Sequence, residues 1–158
     1  MREIGWTDKK NVDSLRCRNR ISVLDGYRRF DLHHGEQIRD AVGAPSADDP
    51  VVMGPVLATF AFSLPESFRL VDAPDGTHVV LVVQGAAGGA WTVRREGRAW
   101  RLYSGAADVG AATVTLAQDD AWRMYTRVLA RAEVERRARI EGDTVLAQRI
   151  LSSVAIIA

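Results

Sequence analysis

Apolar positions change their spacing twice along the chain. One face of the segment 27–42 carries Tyr27, Phe30, His34, Ile38 and Ala41, the spacing of a helix, and Gly43 stands where a C-terminal stop is expected. A thinner stripe of Val12, Leu15 and Ile21 predicts an earlier helix over 8–24, capped by Asp8 or Asn11. The loop from Ala44 to Pro50 is rich in Pro, Ser and Asp and reads as a boundary. Asp49 is placed to cap a third helix over 50–63, with Pro50 at its first position and Pro65 beyond its end.

From residue 77 the period becomes two. Strands are predicted over 77–84, 90–95, 98–103 and 112–116, the first two joined by Gly85-Ala86-Ala87-Gly88-Gly89 and the next by Glu96-Gly97. Trp91, Val93, Trp100 and Leu102 alternate with polar neighbours, as in a meander with one buried face. The helical period returns at Asp119, read as the cap of a helix over 119–130 whose face is Trp122, Tyr125, Val128 and Leu129. A short strand over 137–141 and an Asp143-capped helix over 144–154 follow, with Val145, Leu146, Ile150, Leu151 and Val154 on its buried side. Helices, then a contiguous antiparallel sheet, then helices make the class α+β, not a wound β-α fold. The expected division is a helical segment 1–44 and an α+β domain 45–158.

Composition narrows the partners. The 158 residues suit one domain with an appendage, and 47% hydrophobic with 26% charged is ordinary globular material. Twenty-one basic against 20 acidic side chains leave a net charge of +1, which argues against a nucleic-acid or membrane surface. Basic residues crowd the start (Arg2, Lys9, Lys10, Arg16, Arg18, Arg20, Arg28 and Arg29), and a solvated helix face is the reading favoured over a phosphate-binding arm. Cys17 is the single cysteine, which fits a reducing, cytoplasmic setting. The N-terminal residues carry no signal-peptide pattern, and the longest apolar run, Val51 to Leu64, falls short of the about 20 residues of a membrane span.

Candidate chemistry is sparse. Gly85 to Gly89 joins two strands and no Lys-Ser/Thr follows, so it reads as a hairpin turn and not as a phosphate cradle. His34 lies on the packed face of its helix, where a buried histidine satisfied by a neighbour is the reading favoured over a metal ligand. A catalytic zinc takes about three protein ligands, whereas positions 30 and 38 hold Phe30 and Ile38. Cys17 has no evident activating partner. Asp119-Asp120 reads as a cap, and Arg137 and Arg139 flank a short strand, where a solvated edge is the reading favoured over a grip on a carboxylate.

The ordered set of segments resembles a known family. Glu36-Gln37-Ile38-Arg39-Asp40-Ala41-Val42-Gly43, Pro55-Val56-Leu57-Ala58-Thr59-Phe60, Trp91-Thr92-Val93-Arg94-Arg95 and Trp100-Arg101-Leu102-Tyr103-Ser104-Gly105-Ala106-Ala107-Asp108 carry the likeness. Ala112-Thr113-Val114-Thr115-Leu116, Ala121-Trp122-Arg123, Ile140-Glu141-Gly142-Asp143 and Val154-Ala155-Ile156-Ile157-Ala158 continue it. Together they are similar to actinobacterial proteins of the mycothiol-dependent maleylpyruvate isomerase family, over roughly residues 27 to 158. The resemblance implies a DinB-like four-helix bundle holding a divalent metal, usually zinc, and a C-terminal α+β domain similar to the sterol carrier protein fold. It implies mycothiol as the thiol cofactor and isomerisation of maleylpyruvate to fumarylpyruvate. In the family a Glu-x-x-x-His stands on the last bundle helix. Here His34 matches its histidine, and Phe30 stands in place of its glutamate. Arg139 is the candidate for the family's active arginine in the C-terminal domain.

Three expectations follow. The leading one is a truncated or degenerate family member that does not catalyse isomerisation alone, because a lone His34 cannot hold a catalytic metal. The second is a sterol-carrier-type module that binds an apolar small molecule and needs no metal or mycothiol. The third is a homodimer whose N-terminal helices rebuild the bundle, pair two copies of His34 around a shared zinc and restore thiol-dependent isomerase or transferase activity.

Overall fold

The computed structural model describes residues 2–3, 35, 38, 42–43, 50–108 and 110–154. Six strands form one sheet: β1 Arg2–Glu3, β2 His78–Gln84, β3 Gly89–Glu96, β4 Ala99–Ser104, β5 Ala112–Ala117 and β6 Arg139–Gly142. The helices bounded within the described residues are α1 Pro50–Ala61, α2 Leu64–Ser67, α3 Gln118–Tyr125, α4 Arg131–Arg137 and α5 Thr144–Leu151. Gly35 and Ile38 are helical, and Gly43 follows with φ 67°, as the predicted stop requires. The rest of both N-terminal helices, Asp49 and the boundary at residues 44–45 lie outside the described residues.

The sheet runs in the order β1-β4-β3-β2-β5-β6. It is mixed, not a simple meander: β5 pairs with β2 in parallel, Val79 opposite Ala112 and Gln84 opposite Ala117. The other pairings are antiparallel. The sequence carries the reason. The run Val79-Val80-Leu81-Val82-Val83 lacks the alternation of a half-exposed strand, because β2 lies between two neighbours and is covered on both faces. Val79, Leu81 and Val83 face the helices, while Val80 is buried on the opposite face.

The link from β4 to β5 provides that second cover. β4 and β5 lie on opposite sides of the β3–β2 pair, so the link has to cross both strands, and it does so on the face away from the helices. Thr92 holds it, donating from Oγ1 to the carbonyl of Gly105 (2.7 Å) and accepting the N–H of Ala107 (3.2 Å). Ala111 N–H then donates to the carbonyl of His78 (2.8 Å). Thr92 is fully buried although polar, and its hydroxyl is satisfied twice.

All five helices cover the other face. In α1, Met53, Val56, Leu57 and Phe60 repeat at helical spacing and are buried, and Pro55 sits inside the helix without ending it. Pro65, expected only to bound that helix, opens the single turn α2. Trp91, Val93, Trp100 and Leu102 join the same core. Trp100 Nε1 donates to the carbonyl of Val71 (3.1 Å), which lets the indole be buried with its polar atom satisfied. Asp143 caps α5 as predicted, accepting from the N–H groups of Val145 (2.8 Å) and Leu146 (3.1 Å). Val145 itself, expected in the core, is 66% exposed, because the helix presents Leu146, Ile150 and Leu151 inward instead.

Candidate functional site

The helix predicted over 119–130 stops at Tyr125, a second helix that was not predicted starts at Arg131, and the break between them shapes the site. The first starts at Gln118 after Ala117, so Asp119 is a first-turn residue and not the cap. Its carboxylate accepts from Trp122 Nε1 (3.0 Å) and pairs with Arg123. α3 ends at Tyr125. Thr126 returns its hydroxyl to the carbonyl of Trp122 (2.9 Å), a bond that competes with helix continuation. Arg127 then turns left-handed at φ 58°, and Leu129 N–H donates to the carbonyl of Arg123 (3.2 Å). Val128, expected on the buried face, is exposed as a result.

Arg127 occupies the position after a helix end where glycine is favoured. A side chain there costs about 1 kcal/mol. Among the described residues, Arg127 is the one non-glycine with positive φ.

Between this turn, α4 and the end of α5 lies a cavity of about 240 Å³, open on one side. Its apolar lining is Met124, Leu129, Ala130, Val134, Leu151 and Val154. Arg127, Arg131, Ser152 and Ser153 complete it, with no acidic side chain among them. The volume is just below the about 300–1,000 Å³ of small-molecule sites.

The polar residues of the lining differ in how far they are engaged. Arg131 Nε donates to Glu135 Oε1 (2.9 Å), and its guanidinium also bonds Gln148. The Arg131 hydrogen bond is the main reason the Glu135 carboxyl is held below its ordinary range, with Gln148 adding to it. Ser152 Oγ donates to the carbonyl of Gln148 (2.9 Å). Ser153 is buried and shares a short hydrogen bond with Ser67, tying α5 to α2. The Arg127 side chain has no ion pair or hydrogen bond among the described residues.

Tyr125, beside Met124, turns to the core and packs against Phe60 at 5.5 Å between ring centres. Its hydroxyl is buried without a partner among the described residues, and burial pushes its pKa well above the usual tyrosine value.

The residues singled out from sequence are scattered. Arg139 sits on the edge strand β6, opposite Thr115 and on the sheet face away from the helices, so it is not part of the cavity. Its Nη2 donates to Glu141 Oε1 (2.9 Å). Arg137 belongs to α4 and binds Glu133 and Asp120. Gly85 to Gly89 is the hairpin turn expected. A Cβ at Gly88 would lie 2.1 Å from the carbonyl oxygen of Val83, so the turn demands glycine there. His34 and Cys17 lie outside the described residues. Among the described residues no three His, Cys, Asp or Glu side chains are grouped to hold a metal. No described helix is long and apolar enough to cross a membrane. The cavity itself was missed in the sequence, because Arg127 stood inside a helix predicted as continuous.

The chain matches no family model and no curated protein. Among solved structures it is similar to sterol carrier protein 2 like 2 from Aedes aegypti, at 16% identity over 62% of this chain and 95% of that one, with a TM-score of 0.47. The palmitated form of sterol carrier protein 2 like 2 from Aedes aegypti aligns at 19% identity over 59% and 88%, with a TM-score of 0.45. The apo form of sterol carrier protein 2 from Yarrowia lipolytica aligns at 13% identity over 65% and 80%, with a TM-score of 0.38. These are likenesses of strand and helix arrangement, and they carry nothing about ligand.

Proposed function

We propose that this domain binds a small molecule with an apolar body, received in the cavity between the α3–α4 turn, α4 and the end of α5. The observation that supports it is the space of about 240 Å³, open on one side, to which the side chains of Met124, Leu129, Ala130, Val134, Leu151 and Val154 contribute apolar surface. Apolar surface withdrawn from water there contributes about 25 cal/mol per Å². The open side admits a ligand longer than the cavity, with its polar end toward Arg127 and solvent. This is the binding-module reading, and it requires neither metal nor thiol.

The test is titration with a dansyl-labelled undecanoyl probe, followed by fluorescence. Saturable one-to-one binding with a Kd on the order of micromolar is expected. Ala130→Trp fills the cavity from an exposed lining position and should weaken binding by about tenfold or more, with the melting temperature kept. Non-saturable binding, or equal affinity in Ala130→Trp, would overturn the proposal.

A further inference from the structure

We infer that Arg127 selects the head group of the ligand, and that the ligand is an amphiphile bearing an oxyanion, of which a carboxylate is the simplest case. The inference rests on the cavity being the binding site. Three observations converge on this side chain. First, its position in the fold calls for glycine. The bonds that close the turn run from the backbone N–H groups of Thr126 to Trp122 (3.0 Å), Arg127 to Met124 (3.2 Å) and Leu129 to Arg123 (3.2 Å). None uses the arginine side chain, so a glycine would close the turn equally well with less strain.

Second, the guanidinium is unengaged while its neighbour is not. Of the two arginines lining the cavity, Arg131 is committed to Glu135 and Gln148, whereas the Arg127 side chain has no partner among the described residues. Third, the lining holds no carboxylate to neutralise it. A space of mixed lining, with six apolar residues and one uncommitted cation, is complementary to an amphiphile whose apolar chain ends in an anion. Guanidinium matches carboxylate or phosphate oxygens in a two-point geometry that ammonium does not reproduce.

The experiment compares decanol, decanoate and decyl phosphate by calorimetry, on the full chain, in low salt at pH 7.5. Wild type should bind decanoate about tenfold more tightly than decanol, and the ratio should shrink at high salt because Arg127 is exposed. Tighter binding of decyl phosphate than of decanoate would identify a phosphate head, and the reverse a carboxylate head. In Arg127→Gly the ratio of anion to alcohol should fall to about one. Arg127→Lys should keep part of it. The melting temperature of Arg127→Gly should rise by about 2–4 °C, as expected of strain relieved at a glycine position. Saturable decanol binding with an unchanged ratio in Arg127→Gly would overturn the inference and leave the binding reading intact. A fall in melting temperature would also overturn it, by giving Arg127 a structural role. No saturable binding of any of the three ligands would remove the binding reading, and the inference with it.

Discussion

In the sheet, Val79, Leu81 and Val93 are wholly buried, wedged between neighbouring strands and the helix layer. At the α3–α4–α5 corner, Leu129, Val134, Leu151 and Val154 are the same kinds of residue, yet they border open space. The sheet spends its apolar side chains on each other. The corner leaves part of its apolar surface and one guanidinium unspent. A strained residue and an unfilled volume coincide there, and strain at such a place points to a use outside the fold.

The sharpest way to break the comparison is to truncate both regions. Leu81→Ala should cost about 4 kcal/mol, because the packed strands around it cannot collapse into the gap. Leu151→Ala should cost only about 2 kcal/mol, since it enlarges a space that already exists. Urea unfolding at constant m measures both, and equal losses would mean the corner is packed like the sheet.

Next in size is the link that covers the far face. Thr92→Val leaves the Gly105 carbonyl and the Ala107 N–H without their partner and should cost about 2 kcal/mol. Hydrogen exchange of Ala107 should quicken with it.

Tyr125 gives a test in pH. Its folded pKa is raised by burial, so its titration costs no stability below about pH 10, and stability is lost as pH rises beyond that because the unfolded chain ionises first. Wild type should lose about 1.4 kcal/mol per pH unit more than Tyr125→Phe above this point. At neutral pH the variant should be as stable or slightly more stable, since the hydroxyl it removes has no partner. Parallel pH curves would mean the hydroxyl is solvated. Smallest of all, Arg139→Ala should change stability by less than about 0.5 kcal/mol, because its pair with Glu141 is exposed.

Much of the fold was legible in the sequence. The alternation of Trp91, Val93, Trp100 and Leu102 marks the buried face of β3 and β4, and Asp143 marks the start of α5. The α+β class follows from the order of the elements. The parallel partner of β2 was not foreseen, since nothing local specifies which free edge β5 joins. Only the unbroken valine run hinted at a strand covered twice. The end of α3 was hidden because it has Arg127 where a glycine would have announced it. Without that end there is no cavity to read, and attention fell on His34 and Arg139 instead. Arg139 needs a face of the sheet that the cavity does not share.

The most direct measurement is a methyl-resolved NMR titration of the full chain with decanoate. Saturable shifts should appear at Met124, Leu129, Val134 and Leu151, with Val79, Leu81 and Val93 unmoved. Shifts centred on the sheet residues, or no saturable shift at the corner, would contradict the assignment of the cavity as the binding site.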